Sequence, residues 1–563
     1  MTSPAARAGA RYDVAILGSG IAGSMLGAIL ARQGASVLLL DRGEHPRFAL
    51  GESTVPHTSM MMRILADRFD VPEIRHCSSF ATLRQKVTAS CGIKRNFGFV
   101  YHRPGEPQRP EEATQSVIAE YPHGPESHYF RQDIDAYLLY AAIRYGADSR
   151  QRVDITDIDI GEREVRLVSR QGETFTARYL VDAAGFRSPV ADKLGLRERP
   201  TRLRTHSRSI FTHMIGVKAY DDCVQPPGAH GMPRRWSQGT LHHIFDGGWM
   251  WVIPFDNHDE AINPLCSVGL NLDSRRHPKP AGEPPEEELR RIIADYPDIR
   301  AQLDGARAVR DWVSTERLQY SATRNVGHRF CLMSHASGAV DALFSRGMAN
   351  TCEIVNAVAP VLLRALADDD FSVERFDHVD RLQQSQLDYN DRLVHCSYIS
   401  FASFDLWNAW YRLWVIGAFY GWLRLSRIHD RYRTSGDPAW FERLDAPLHC
   451  GSLCPGLAGY ERLWNTVTSE VEAVGEGRRS PPAASERIFA LLGSLDFVPP
   501  LFELGNRDRR HTVELDQDRL LELLLWFKRS APAEVRELYF GDAAAAERPG
   551  ATLASRAAGE AAR

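Results

Sequence analysis

Short apolar runs alternate with amphipathic stretches through the first third of the chain. Tyr12 to Leu17 is one such run, of a length and composition suited to a buried parallel strand. Ser24 to Gln33 reads as the helix that follows, and Ser36 to Leu40 as a second buried strand ending at Asp41. Arg150 to Leu180 alternates polar and apolar positions, with a turn at Gly172, as a strand pair does. Residues about 95–130 are rich in Pro, His and Glu and read as loops, whereas about 200–275 looks β-rich. Lys279 to Pro285 breaks the pattern before an acidic helix from about Glu286, and Leu332 to Ala367 returns to the first unit. From about Ala367 the pattern is helical, including Ser397 to Arg433. The end of the chain, from about Asp542, is Ala-rich and reads as a frayed or disordered tail. No internal repeat is visible.

The first turn carries chemistry. Gly18-Ser19-Gly20-Ile21-Ala22-Gly23 follows the first strand directly and opens the first helix. Gly18 allows the tight turn, Gly20 lets the backbone approach a pyrophosphate, and Gly23 lets helix and sheet pack closely. The helix N-terminus then faces the phosphates. Asp41, at the end of the second strand, is spaced to bond the adenosine ribose hydroxyls, with Arg42 beside it. A glycine triplet alone is weak evidence. The order strand, turn, helix, strand, acid makes it a dinucleotide-binding fingerprint.

Composition narrows the class. At 563 residues the chain exceeds one ordinary core, so two or three subdomains are expected. With 44% hydrophobic and 25% charged residues it reads as a soluble globular protein. A net charge of −4 argues against nucleic-acid binding. The first residues hold no signal-peptide core, which points to the cytoplasm. The nine cysteines include one close pair, Cys450 and Cys454, without a zinc-completing partner, so reduced thiols and no metal are expected. Leu413 to Leu423 is strongly apolar but too short to cross a bilayer, so no membrane partner is expected.

Several further segments match one family in chain order. Gly247-Gly248-Trp249-Met250-Trp251-Val252-Ile253-Pro254 resembles the Trp-x-Trp-x-Ile-Pro signature of flavin-dependent halogenases, a branch of the FAD-dependent monooxygenase superfamily. Gly51-Glu52-Ser53 resembles the family's turn beside the flavin, Arg131 to Asp135 its cofactor-touching helix start, and Asp182 to Gly185 its Asp-Ala-x-Gly strand end. His335 to Met348 sits where the family closes over the flavin ring. The resemblance covers roughly residues 10 to 360.

It implies an α/β fold: a Rossmann-like FAD-binding domain of the aromatic-hydroxylase/halogenase type, a β-rich substrate layer and a helical C-terminal region. The expected boundaries are 10–200 and 311–366 for the FAD domain, 201–310 for the substrate layer, 367–541 for the helical region and 542–563 for the tail. Cofactor contacts are expected from Gly18, Gly20, Ile21, Ala22, Gly23, Asp41, Arg42, Glu52, Ser53, Arg131, Asp182, Gly185, His335, Asp341 and Met348. Reduced FAD, oxygen and chloride or bromide would generate hypohalous acid, with the halide held at Ser345, Gly347 and Met348, where bare amides form an anion site. A lysine then carries the halogen to the substrate. Lys94, followed by an aromatic strand, matches that position; Lys86 is the competitor. Trp249 and Trp251 lie on one strand face with Ile253 and would keep substrate away from the flavin.

Some positions depart from the pattern. Ser334-His335 stands where the family often has Gly-Asp, so His335 would replace the acid's bond to the cofactor. Asp341 matches a position used by some relatives to tether FAD covalently; the alternative is a hydrogen-bonding loop acid. Phe344 stands where tryptophan halogenases carry a glutamate, which suits a substrate that activates itself, a phenol or pyrrole. His242, His243 and His102 are loose candidates for a deprotonating base. Trp407, Trp410 and Trp414 share a helix face, read as packing on the FAD domain or as a lid. Arg424, Arg427, Arg431 and Arg433 form a solvated face or a dock for an acidic carrier protein bearing the substrate. A second complete glycine fingerprint is not seen, which suggests a separate NAD(P)H flavin reductase. The resulting expectation is an FADH2-dependent halogenase. Its alternatives are a non-halogenating FAD monooxygenase or oxidase, and a degenerate flavin-binding partner protein.

Overall fold

The first apolar run is buried because it is a central strand. In the computed structural model, which describes residues 11–445 and 451–541, strand Arg11–Leu17 runs parallel to Thr174–Asp182 on one side and Val37–Asp41 on the other. Val14, Ala15 and Ile16 are wholly buried, as a strand covered on both faces requires. Asp148–Gln151 extends this sheet beyond Val37–Asp41, and Phe330–Leu332 pairs with Thr174–Asp182. The chain therefore returns to its first sheet after a long excursion. The hairpin Ile155–Ile160 and Val165–Ser169 is annexed to the edge of Thr174–Asp182. The helix after the fingerprint begins at Ile21, ahead of Ser24, because Gly20 serves as its N-cap.

A second sheet crosses the excursion. Its spatial order is Arg307–Ala308, Ser207–Ile215, Cys266–Asp273, Gly248–Pro254, Gly239–Phe245, Asn96–Tyr101 and Ala113–Val117. The last two strands correct the reading of 95–130 as loops. They fall outside the 201–310 segment yet belong to the same sheet. Their Pro- and Glu-rich connections mask short strands that are held by cross-strand pairing, with Asn96–Tyr101 parallel to Gly239–Phe245. A separate two-stranded ribbon pairs Gly92–Lys94 with Glu126–His128.

The two faces of the second sheet bury different partners. Phe97, Phe99, Trp249, Trp251 and Ile253 join a core shared with the helical C-terminal region. Val100, Met250, Val252, Val268 and Leu270 pack instead toward Leu289, Ile293 and Ile299 of two short outer helices. This alternation is the period of two along a strand.

The long helical stretch is two elements. Val373–Ser400 ends, and Phe404–Ser435 begins with Ser403 accepting a capping bond from the Leu406 N–H. The tryptophan face packs on Phe97, Phe99 and Phe344, within the ranges expected for the FAD domain but not on the dinucleotide sheet itself. Trp407 sits 4.7 Å (ring centroids) from Phe99, Trp414 5.1 Å from Phe97, and Trp410 bonds Ser397 Oγ at 2.9 Å. Among the described residues no helix is long and apolar enough to cross a membrane. Cys450 and the expected tail lie outside the described residues.

The C-terminal segment also closes a sheet edge. Gln115 N–H donates to Arg510 O, Thr512 N–H to Gln115 O, and Val117 N–H to Thr512 Oγ1. Residues 510–512 thus occupy the free side of Ala113–Val117.

Candidate active site

The glycine turn is shaped by what a side chain would strike. A Cβ on Gly23 would lie 2.0 Å from Gly18 O, and one on Gly18, at φ +93°, 2.6 Å from Ala183 O. Gly20 differs, for a Cβ there meets nothing nearer than Asp135 Oδ2 at 3.8 Å. Helix Ile21–Arg32 has no side-chain cap and no acid in its first turn, so its leading amides are available. A bare, open backbone at a helix N-terminus fits a pyrophosphate.

Asp41 ends the neighbouring strand and accepts from Ser19 N–H at 2.7 Å, Ser19 Oγ at 2.8 Å and Arg47. Burial works to raise its carboxyl, but Arg47 and Ser19 outweigh burial and hold it at about 2. Arg42 is exposed. Arg131 pairs with Asp135 through two bonds, 2.7 and 2.8 Å, and reaches the carbonyls of Leu50 and Gly51. It therefore ties the Gly-Glu-Ser turn to the helix that it opens. Glu52 bonds His213 Nε2 at 2.6 Å on the second sheet. The Asp182 carboxylate accepts from Ala184 N–H, Ser188 Oγ and Val190 N–H, which shapes the loop around Gly185.

Lys94 is wholly buried. Its Nζ donates to Ser53 Oγ and to Thr54 O, each at 2.7 Å, and the Phe97 ring lies over it with its centroid 4.2 Å away. Burial lowers its pKa to about 7, opposed by the charge of Glu126. Glu126 stands directly opposite Lys94 in the ribbon, is buried, and accepts from Ser59 Oγ at 2.7 Å. Burial raises its carboxyl pKa. Lys86 ends a surface helix and is exposed.

A cavity of about 170 Å³ opens beside this pair, with Phe97, Glu126, Phe344, Arg346, Trp414 and Phe502 among its walls. A larger cavity of about 300 Å³ lies against Lys218, Trp236 and Asn257 on the outer side of the second sheet. Neither cavity is lined by a predicted site residue, but the smaller one is bounded by Phe97 and Glu126, which cover and face Lys94, and by Phe344 and Arg346, which flank Ser345. Trp249 and Trp251 are buried with ring centroids 5.7 Å apart. Trp251 continues to Phe211 at 6.1 Å, and Phe211 to Phe48 at 6.3 Å, in the segment leading to the Gly-Glu-Ser turn. Trp249 reaches His242 at 5.5 Å, and His242 stacks on Phe97 at 4.5 Å. The indoles thus stand between the Gly-Glu-Ser segment and the residues over Lys94. This wall leaves no slack at Gly269, where a Cβ would lie 1.9 Å from Trp251 Cζ2. Gly269→Ala is expected to displace Trp251 and to cost about 1–3 kcal/mol, read as a lower midpoint in denaturant unfolding with unchanged slope.

Of the three histidine candidates, only His242 faces this core. It bonds Gly98 O at 2.8 Å, and burial holds its pKa down to about 3. His102 and His243 bond each other at 2.8 Å, and His243 continues to Gln302 under the outer helices.

Ser345, at φ 52°, caps helix Arg346–Asp368 without a side-chain bond. Gly347 and Met348 lie in its first turn, where amides have no intrahelical partner. The exposed His335 ring abuts Gly347, since a Cβ there would meet its Cε1 at 3.4 Å. Asp341 accepts from Ser207 Oγ at 2.6 Å, Tyr398 OH at 3.1 Å and Leu343 N–H at 3.1 Å, the bonding of a loop acid.

Sequence reading missed Glu126, Thr240 and His128. Glu126 and His128 lie in a Pro-, Gly- and His-rich stretch, and only strand register brings Glu126 opposite Lys94. It also missed the part of the cavity wall contributed by Thr512, Val513 and Leu515, for which no local motif exists.

Comparison with known proteins identifies the family. The FAD binding domain family profile matches residues 11–319. Monodechloroaminopyrrolnitrin halogenase PrnC of Pseudomonas fluorescens is 47% identical over 534 residues, 94% of each chain. Tetracycline 7-halogenase of Kitasatospora aureofaciens is 45% identical, again over 94% of each chain. The crystal structure of halogenase PltM in complex with phloroglucinol and FAD superposes with a TM-score of 0.85 at 36% identity, covering 89% of this chain and all of that one.

Proposed function

The chain belongs to the flavin-dependent halogenases, oxidoreductases that use FAD and a halide, and from that premise we propose that it halogenates an electron-rich phenolic or pyrrolic substrate through hypohalous acid and Lys94. The observation that carries this reading is the buried Lys94, whose covering ring Phe97 and register partner Glu126 both line an aromatic cavity. Bound FADH2 supplies two electrons, so that FADH2, O2, halide and a proton become FAD, hypohalous acid and water.

The protein's own groups do the rest. The turn from Gly18 to Gly23 seats the pyrophosphate. Arg131 holds the Gly-Glu-Ser turn, and the first-turn amides of Gly347 and Met348 hold the halide beside Ser345. Trp249 and Trp251 exclude the substrate from the oxidising side, so that oxygen transfer to the ring is prevented. Lys94 receives the hypohalous acid, either by hydrogen bonding or by exchanging an N–H for an N–halogen bond with release of water. The aromatic ring then takes the halogen and loses its proton. The sum is hypohalous acid plus arene to haloarene plus water.

The substrate class has support on both sides of the cavity. Its walls are aromatic, and Phe344 leaves the position before Ser345 without an acid. Phloroglucinol, bound in the PltM crystal structure, is itself a phenol. Two more distant relatives, 22% identical, are named for pyrrole-2-carbonyl groups on a peptidyl carrier protein. A carrier-bound substrate, a separate reductase and a cytoplasmic location belong to this proposal. The monooxygenase alternative loses its support, because the relatives that match this chain end to end are halogenases.

The test is mass spectrometry of turnovers with FADH2, oxygen and bromide over a panel of phenols and pyrroles. The expected result is a bromine isotope doublet that is lost with Lys94→Ala. Oxygenated products without bromide would overturn the proposal.

A further inference from the structure

Lys94 is one end of a hydrogen-bond chain. From Lys94 Nζ it passes to Ser53 Oγ at 2.7 Å, then to Thr240 Oγ1 at 2.8 Å, then to His128 Nε2 at 3.1 Å. His128 Nδ1 lies 2.8 Å from the carbonyl oxygen of Pro254, the last residue of the Trp-x-Trp-x-Ile-Pro segment. Lys94, Ser53, Thr240 and His128 are all buried. Five separate parts of the sequence therefore meet in one line of polar atoms in the interior.

The direction of each bond follows from the far end. A carbonyl oxygen only accepts, so His128 Nδ1 carries the ring hydrogen. Burial, and then the nearby Lys94 charge, hold the imidazole at about 3, so the ring is neutral and Nε2 accepts. The single hydroxyl hydrogen of Thr240 goes to Nε2. The Ser53 hydrogen then goes to Thr240, and the Ser53 oxygen is left as an acceptor facing Lys94. The backbone oxygen of Thr54 is an acceptor in any state. Both neighbours of Nζ can only receive hydrogens.

We propose that Ser53, Thr240 and His128 are positioning residues which, anchored on the Pro254 carbonyl, pin one N–H bond of Lys94 while the Thr54 backbone oxygen takes a second, and so turn the amine's remaining position toward Phe97 and the cavity. In the neutral amine that position holds the lone pair, the electrons that would take up halogen. Phe97 lies over it as a ring that must give way. The inference rests on the reading of Lys94 as the halogen carrier. Besides the chain itself, the titratable groups acting on Lys94 are Glu126, across the ribbon, and His242.

Thr240→Val keeps the shape and removes the hydroxyl; Thr240→Ser restores it. Each FAD-loaded variant is assayed for bromination of phloroglucinol and for free hypohalous acid trapped by monochlorodimedone. The pH midpoint of the Lys94 13Cε signal is followed in protein carrying 13C-lysine. Thr240→Val is expected to lower kcat about tenfold with KM unchanged within about twofold. More hypohalous acid should escape, and the lysine midpoint should move to lower pH, because Ser53 is freed to donate to the amine. Thr240→Ser is expected to recover all three. Wild-type kcat, leakage and midpoint in Thr240→Val would overturn the proposal. Should that variant not fold, His128→Leu, which removes the far anchor, is judged by the same readouts. Lys94→Met on the same bench separates the two ideas. If it still brominates, the lysine reading fails; if it is inactive while Thr240→Val behaves as wild type, only the positioning role fails.

Discussion

Replacing Lys94 by methionine is expected to reduce halogenation by about a hundredfold or more, while FAD binding and thermal stability persist. The amine is wholly buried and its pKa is lowered to about 7, mainly by burial. An apolar side chain of similar length removes a charge that the fold accommodates at a cost, so stability should hold or rise. The chemistry has no substitute at this position, because Lys86 is exposed on a surface helix. Lys94→Arg separates the two routes open to the lysine. A guanidinium stays protonated and can hydrogen-bond hypohalous acid, but it offers no lone pair for an N–halogen bond. Under the N–halogen route Lys94→Arg is inactive, and the wild-type rate rises with pH about a midpoint near 7 as the neutral amine appears. Under the hydrogen-bonding route Lys94→Arg retains activity, and the wild-type rate falls across the same midpoint. Product analysis by mass spectrometry across pH 5.5–8.5 (roughly, bracketing the midpoint), with a thermal melt of each variant, checks both.

The second large effect is expected at the glycine turn. A methyl on Gly23 would meet the backbone oxygen of Gly18 at 2.0 Å, and neither partner is a flexible side chain. The helix would have to lift from the turn that it caps. Gly23→Ala is expected to cost about 1–3 kcal/mol in stability and to weaken FAD binding by about a hundredfold or more. Gly20→Ala is the informative contrast. Its methyl would meet no protein atom nearer than 3.8 Å, so the FAD-free protein should melt as the wild type does. The same methyl occupies the space through which the pyrophosphate approaches, so affinity should still fall. Flavin-fluorescence titration together with melts of the FAD-free variants tells these outcomes apart. Equal FAD affinity in Gly20→Ala and wild type would refute the assignment of this turn to the pyrophosphate.

The dinucleotide half was legible because its signals are local. Strand, turn, helix and acid lie within residues 12–41, and the packing that demands Gly18 and Gly23 involves near neighbours or the end of the strand alongside. Trp249 and Trp251 were legible for the same reason, since two residues on one strand must share a face. The neighbourhood of Lys94 was not. Glu126 faces it only through the register of a three-residue ribbon, His128 ends the same short strand, and Thr240 comes from a further strand. Strand register across long loops leaves no periodic trace in a sequence. The short strands of 95–130 were read as loops because their Pro- and Glu-rich connections dominate the composition. The Trp407 face was legible in part. Helical spacing showed that the indoles lie together, but not that their partners are Phe97 and Phe99 rather than the dinucleotide sheet.

The segment around residue 512 serves two ends. Its backbone fills the free side of strand Ala113–Val117, and Thr512, Val513 and Leu515 stand in the wall of the aromatic cavity. A change made there to widen the cavity also loosens a seal on unpaired strand amides, which are a template for aggregation once bare. Under the proposed function, substrate range and exposure of this strand edge are mechanically linked. Selection for a bulkier substrate should find its tolerated substitutions on the helix bearing Trp414, and should be penalised along residues 510–515.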